Sequence, residues 1–184
     1  MAKRYPRTLS SGANNTVIAL TETEVGKLFT GDTRSDIGSE AEKMRYANGV
    51  NRLVARFLRL DVKEDLDADM LVMERLTHKR GPCTPFIRMD FRAYDQERRL
   101  LWLDVFETEL AELHAAGFAH RDLRRPSNLP GLRYDNIFLT DRGLRLIDVG
   151  ISALKDKVGQ RLFDRFVTRE MEEYELFREE FLSR

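Results

Sequence analysis

A single cysteine, Cys83, leaves this 184-residue chain unable to form an internal disulfide or a cysteine-based zinc cluster. That scarcity suits a reducing compartment and sets the expectation of a cytoplasmic protein. Net charge is missing as well. Thirty-one Lys and Arg balance 31 Asp and Glu, so no overall field recruits nucleic acid or an anionic membrane, local patches aside, and nucleic acid is not expected as a partner. No apolar run approaches the roughly 20 residues of a membrane span, and Met1-Ala2-Lys3-Arg4-Tyr5-Pro6 lacks the apolar core of a signal peptide. Internal repeats and low-complexity tracts are absent too. What remains is 42% hydrophobic and 34% charged, enough for one compact domain with a core or two small lobes sharing a cleft.

The densest chemistry lies between Leu113 and Gly150. It reads L-H-A-A-G-F-A-H-R-D-L, then an irregular polar run, then D-N-I-F-L-T-D-R-G-L-R-L-I-D-V-G. A helix is expected to end at Gly117, with an exposed loop holding Asp122 after it. A tight hairpin through Asp141-Arg142-Gly143 follows, and its second strand runs directly onto Asp148. Carboxylates and a carboxamide at strand ends converge well on a metal-bound phosphate.

Upstream, Leu9 to Phe29 reads as two or three strands. Small residues around Ser11, Gly12, Ala13 and Asn14 make an ordinary hairpin turn, or let backbone N–H groups approach phosphate oxygens. Lys27, flanked by apolar residues, must reach water as an edge-strand lysine or meet an anion in a cleft. A helix from about Ser35 or Gly38 to Asn48, stopped by Gly49, places Glu40 and Met44 on one face, with Ala41, Tyr46 and Ala47 suited to packing on a sheet. Asn51 to Leu60 is a strand and its approach, and the acidic run Asp61 to Asp69 a solvated hairpin loop. Met70 to Met73 is an apolar strand leading to Glu74-Arg75-Leu76, and Thr77 to Pro85 is loop.

Tyr94 to Ala116 carries Leu100, Leu103, Phe106, Leu110, Leu113 and Ala116 at helical spacing, with His114 structural in its last turn. Gln160 to Phe181 spaces Phe163, Phe166, Val167, Met171, Tyr174, Phe177 and Phe181 as an amphipathic helix. It either packs back on its own lobe or serves a partner or a second copy through residues 160–181.

Three of these features resemble the protein-kinase-like superfamily, whose signature pairs H-R-D-L…N with a metal-binding D-F-G. His120-Arg121-Asp122-Leu123 matches the first part, and Asp148-Val149-Gly150 stands in for the second. Asn136, twelve residues before Asp148, is the favoured asparagine and requires an insertion from roughly Arg125 to Tyr134; Asn128, six after Asp122, is the alternative. The likeness covers roughly residues 9 to 154 and is nearest to small bacterial-type members such as the RIO-type and lipopolysaccharide-type kinases.

The resemblance implies an α+β bilobal fold. Residues 1–76 would form an antiparallel five-stranded sheet plus one helix, and residues 77–184 a reduced, mainly helical lobe. It further implies an ATP-dependent phosphotransferase acting on a hydroxyl of protein Ser/Thr or of a sugar or lipopolysaccharide. The alternative is a catalytically inactive kinase-fold module that binds nucleotide or protein. On this likeness Ser11, Gly12, Ala13, Asn14 and Val17 line the nucleotide, although only Gly12 survives as glycine, with Ser10 and Asn15 in the flanking glycine positions. Lys27, held by Glu40 or failing that Glu42, orients the phosphates. Met73 backs the adenine pocket and Glu74 to Leu76 form the hinge. Asn136 and Asp148 hold one or two Mg²⁺ ions, Asp122 aligns the acceptor hydroxyl, and Arg124 is either a cation near the transferred phosphate or a surface arginine. His120 braces the Asp148 turn. No A-P-E segment follows Gly150, so activation-loop control is not expected and Arg121 lacks its usual phosphate partner.

Overall fold

Residues that alternate between two apolar faces build the first half of the molecule. A computed structural model of the chain describes residues 5–11, 16–29, 36–78, 81–82, 85–86, 94–126 and 133–183. Strands β1 (Arg7–Ser11), β2 (Thr16–Ala19), β3 (Glu24–Phe29), β4 (Phe57–Lys63) and β5 (Ala68–Glu74) form one antiparallel sheet in the order β1-β2-β3-β5-β4. The β2–β3 turn is fixed by Thr21, whose Oγ1 accepts the N–H groups of Thr23 and Glu24 at 3.1 and 3.0 Å. Ile18, Leu28, Met70 and Val72 share one side of the sheet, while Val25, Phe29, Leu71 and Met73 face the main core. Lys27 lies between Val25 and Phe29 and so points to the main-core side. Gly26 is required by close approach, since a Cβ there would lie 2.4 Å from Met70 Sδ.

Helix α1 (Ile37–Val50) crosses that side of the sheet, and Asp36 caps its start by accepting the Gly38 N–H at 2.9 Å. Glu40, Ala41, Met44 and Ala47 form its buried face. The helix runs through Gly49 and ends at Asn51, so Gly49 is not the stop that its composition suggests. A helical glycine costs only about 1 kcal/mol, and Asn51 secures the end by donating to Glu109 O at 2.7 Å. Tyr46 does not pack on the sheet either; its hydroxyl donates to the Ala116 carbonyl. The acidic run is also mostly strand. β4 continues to Lys63 and β5 starts at Ala68, leaving a short 3-10 turn (Glu64–Leu66) and Asp67, at φ 43°, to connect them. β4 is an edge strand, so half of its side chains reach water and carboxylates are tolerated there.

A two-residue pair, β6 (Thr77–His78) with β7 (Gly81–Pro82), precedes the long helix α2 (Gln96–Ala116). Asp95 caps α2 by accepting the Arg98 N–H at 2.8 Å, and Gly117 at φ 95° ends it as the spacing predicts. Only one stripe of α2 is buried: Leu103, Phe106, Leu110 and Leu113 are inside, while Leu100 is 43% exposed. Next come β8 (Phe118–Ala119), the hairpin β9 (Ile137–Thr140) and β10 (Gly143–Leu146), β11 (Ala153–Leu154) pairing back on β8, the single turn α3 (Lys155–Val158) and α4 (Gln160–Ser183). The described residues thus form an α+β fold with a five-stranded antiparallel sheet and four helices. None of those helices is long and apolar enough to cross a membrane.

The two halves share one core. Leu146 N–H donates to Leu53 O and Ala55 N–H to Leu146 O, both at 2.8 Å, joining β10 to the segment between α1 and β4. α4 spends its apolar face within the chain. Tyr174 stacks on Phe106 with ring centroids 5.8 Å apart, and Phe177 meets Phe86 edge-on at 4.8 Å. Packing within the chain is therefore the role of that face, and an outside partner would not find it free. Phe177→Ala should destabilise the fold by roughly 3–5 kcal/mol, read as a lowered denaturation midpoint with an unchanged slope. A loss below about 1 kcal/mol would mean the aromatic cluster is not a unit of the core.

Candidate functional site

Three strands or turns and one helix bring the chemistry-bearing residues together. β3 is an interior strand, flanked by β2 and β5, with Lys27 opposite Val17 on one neighbour and Leu71 on the other. Its side chain is 6% exposed and cannot reach water, so it must meet an anion inside. Lys27 Nζ donates to Glu40 Oε1 at 2.9 Å and Oε2 at 3.0 Å, and to Asp148 Oδ1 at 2.9 Å. Glu42, the fallback partner, lies outside this group and meets Lys157 at 3.6 Å.

The Asp148 turn follows β10 at once. His120, fully buried, hydrogen-bonds through Nε2 to the Ile147 carbonyl at 2.9 Å and holds the residue just before it. Asp148 itself takes φ 59°, a left-handed conformation that a non-glycine residue adopts only when its surroundings hold it there. On the facing loop, Asn136 donates to Asp122 O at 3.0 Å and Asp122 Oδ2 at 2.9 Å. Ile147 N–H donates to Asn136 O at 3.0 Å, setting the asparagine beside the Asp148 turn. Asn136 is thus the asparagine next to Asp122, while Asn128 lies outside the described residues. The neck of the intervening segment is closed: Arg125 N–H donates to Arg133 O at 2.7 Å, and the Arg125 guanidinium pairs with Asp135. A loop that leaves and returns at one point can be lengthened without moving what it is attached to.

Charge is unevenly matched here. Burial alone would lower the Lys27 ammonium, but the Asp148 and Glu40 carboxylates outweigh it and hold its pKa above the ordinary value. Glu40 is pushed up by burial, helped by Asp148 and opposed by Lys27. Asp148 has a side chain 47% exposed; desolvation would raise it, yet the Lys27 charge prevails and holds it below the usual carboxylate range. Asp122 is raised by burial, with Asp148 and Asp135 adding to the shift and His120 and Asn136 opposing it.

Three side-chain oxygens at this point have no protein hydrogen bond among the described residues: Asn136 Oδ1, Asp148 Oδ2 and Asp122 Oδ1. Of these, the Asp148 carboxylate oxygen and the amide oxygen are hard donors that fit Mg²⁺, which takes few protein ligands and fills its shell with phosphate oxygens and water. No group of three or more His, Cys, Asp or Glu among the described residues forms a self-sufficient metal cage.

Other expected residues fall nearby or elsewhere. Val17 and Leu76 are partly buried against the main core that contains Met73. Glu74 ends β5, and its carboxylate accepts the Arg56 N–H at 2.8 Å and pairs with Arg145 of β10, so the side chain ties the two halves together. Arg124 sends its N–H to Glu173 Oε2 at 3.3 Å on α4, and its guanidinium lies against Tyr134. Arg121 is engaged within the chain: Nη1 donates to Ile151 O at 2.8 Å and the guanidinium lies 3.9 Å from the Phe166 ring centroid. His114 is structural, bonded to Glu170 Oε1 at 3.1 Å. Ser11 ends β1, and Gly12, Ala13 and Asn14 lie outside the described residues.

Sequence reasoning missed the two buried carboxylates of α4. Glu170 Oε2 accepts the Arg121 N–H at 2.5 Å, and Glu173 accepts that of Arg124, so they brace the backbone on both sides of Asp122. The available signal was two glutamates three residues apart on an otherwise aromatic face. No protein-family model matches this chain, and no curated protein matches it.

Removing the cation tests the electrostatics. Lys27→Met should cost about 3–5 kcal/mol at neutral pH, because it leaves Glu40 a buried charge without its counterion. The loss should shrink on acidification, since a carboxyl whose folded pKa is raised is destabilising only while ionised. Lys27→Met/Glu40→Leu should recover most of the stability at pH 7. A double variant no better than the single one would show that the bridge is not what the fold depends on here.

Proposed function

We propose that the chain is an ATP-dependent phosphotransferase with a protein-kinase-like bilobal fold, transferring the γ-phosphoryl group to a hydroxyl of a protein Ser/Thr or of a sugar or lipopolysaccharide-type acceptor. The observation that carries this reading is the Lys27 bridge: one ammonium bonded at 2.9 Å both to Glu40 of α1 and to Asp148, 121 residues later, with Asn136 bonded to Asp122 alongside. The sheet and α1 within residues 1–76, and the helices and hairpin within 77–184, support the lobe division.

Lys27, fixed by Glu40, would bind the α- and β-phosphates, and Met73 with the Glu74–Leu76 segment would border the adenine. Asn136 Oδ1 and Asp148 Oδ2 are the oxygens that would hold Mg²⁺, whose charge offsets that of the β- and γ-phosphoryl oxygens. Asp122 accepts a hydrogen bond from the acceptor hydroxyl and aligns its oxygen with the γ-phosphorus. As the new O–P bond forms, the bond to the β–γ bridging oxygen breaks and ADP departs. The hydroxyl proton passes late to the Asp122 carboxylate. Placing Asn136 Nδ2 on Asp122 Oδ2 leaves Oδ1 of that carboxylate for the hydroxyl.

ATP with Mg²⁺ should raise the melting temperature, and Asp148→Asn should abolish most of that shift. Asp122→Asn should still bind ATP while autophosphorylation or ATP hydrolysis falls by about 10²–10⁴-fold. Equal activity in Asp122→Asn and wild type would instead indicate a catalytically inactive nucleotide-binding module. Because the Asp122 pKa is raised, the wild-type rate should fall on acidification at a pH above the ordinary carboxylate range, and the residual Asp122→Asn rate should lack that limb. A pH-independent wild-type rate across that region would remove the carboxylate from the transfer step.

A further inference from the structure

The helix that secures the strand lysine also grips the turn that carries Asp148. Glu40 and Lys43 lie three residues apart, on one face of α1. While Glu40 takes Lys27, Lys43 Nζ donates to the Gly150 carbonyl at 2.7 Å, tying α1 to the Asp148 turn. Gly150 is held from several directions. Its N–H faces Asp148 Oδ1 at 3.4 Å, and a Cβ built on it would lie 3.4 Å from Asp148 Oδ1 and 3.5 Å from Glu40 Oε2. The neighbouring Val149 is 1% exposed in the core, and the next carbonyl, Ile151 O, accepts from Arg121. Asp148 meanwhile sits at φ 59°, a conformation that relaxes unless the backbone on its far side is fixed.

We propose that Lys43 is a positioning residue that couples α1 to the Asp148 turn, so that one helix face sets both the Lys27 bridge and the direction of the free Asp148 oxygen before any ligand arrives. Its consequence for metal binding rests on the nucleotide-binding reading above; the clasp itself does not. Without the Lys43 contact, Lys27 would still hold Asp148 Oδ1 and His120 would still hold the Ile147 carbonyl, but the Gly150 side of the turn would lose its tie to α1 and Asp148 Oδ2 would be less firmly directed. A metal held by Asp148 Oδ2 and Asn136 Oδ1 would then be gripped less tightly.

Lys43→Met keeps the aliphatic stem and removes the donor, whereas Lys43→Arg keeps a donor. Hydrogen–deuterium exchange on the ligand-free proteins reads the clasp directly. Peptides covering residues 147–152 and 37–43 should exchange about tenfold faster in Lys43→Met than in wild type or Lys43→Arg. Binding of adenylyl imidodiphosphate is then titrated with Mg²⁺ and repeated in EDTA. Lys43→Met should need about tenfold more Mg²⁺ for half-saturation, with metal-free nucleotide affinity unchanged within about twofold, and Lys43→Arg should restore the wild-type requirement. Unchanged exchange, an unchanged Mg²⁺ requirement, or equal defects in the Met and Arg variants would each overturn the positioning role. If wild type binds no nucleotide with Mg²⁺, the phosphotransfer reading fails and the metal consequence falls with it; the ligand-free exchange result still decides the clasp.

Discussion

Burying the Lys27 ammonium obliges the fold to deliver carboxylates to it from two directions. A lysine on an interior strand between Val25 and Phe29 has no route to water, and an unpaired buried ammonium would cost several kcal/mol. α1 answers from one side with Glu40 and the turn after β10 answers from the other with Asp148. Each of those elements is then constrained in turn: α1 must cross the sheet at the level of Lys27, and β10 must end where Asp148 can reach the same nitrogen. The backbone bonds between Leu146 and residues 53 and 55 fix that level, because they join β10 to the segment leaving α1.

Two carboxylates sharing one cation leave an electrostatic surplus, and the pKa directions register it. Glu40, the most enclosed, is raised, whereas Asp148, half-exposed and bonded to the same Lys27 charge, is lowered. Asp122 is raised by its own burial and by negative neighbours. A second cation between Asp148 and Asn136 would relieve that surplus, which is the electrostatic argument behind the proposed Mg²⁺.

The loop around Asp122 depends on α4 for its shape. Arg121 adopts φ 71° and is stabilised there by the Glu170 carboxylate on its N–H and by the Phe166 ring against its guanidinium. Glu173 performs the same service two residues past Asp122. α4 therefore has two functions on one face, filling the core with Tyr174, Phe177 and Phe181 and supplying acceptors for otherwise unsatisfied backbone donors. The cost of burying Glu170 and Glu173 is offset by those charge-assisted hydrogen bonds.

Local chemistry made several features legible in the residues alone. Gly117 ends α2 because only glycine enters the left-handed region without strain, Asp141 and Arg142 turn the hairpin before Gly143, and the apolar stripes of α2 and α4 announce buried faces. The H-R-D-L run at Asp122 and the I-D-V-G run at Asp148 nominated a site by their resemblance to the protein-kinase-like superfamily, and Lys27, Glu40 and Asn136 joined it on that likeness. Errors arose where tertiary context overrides local preference: the acidic run became edge strand, Gly49 stayed helical, and Leu100 turned outward. Sequence by itself determined which residues carry the charge and which faces must be buried, since period and side-chain type are properties of the chain. Only the tertiary structure decided that one ammonium joins positions 121 residues apart, that Asn136 lies on Asp122, and that Lys43, Glu170 and Glu173 hold the turns in place. Those contacts are set by how helices seat against loops, which no spacing along a single element encodes.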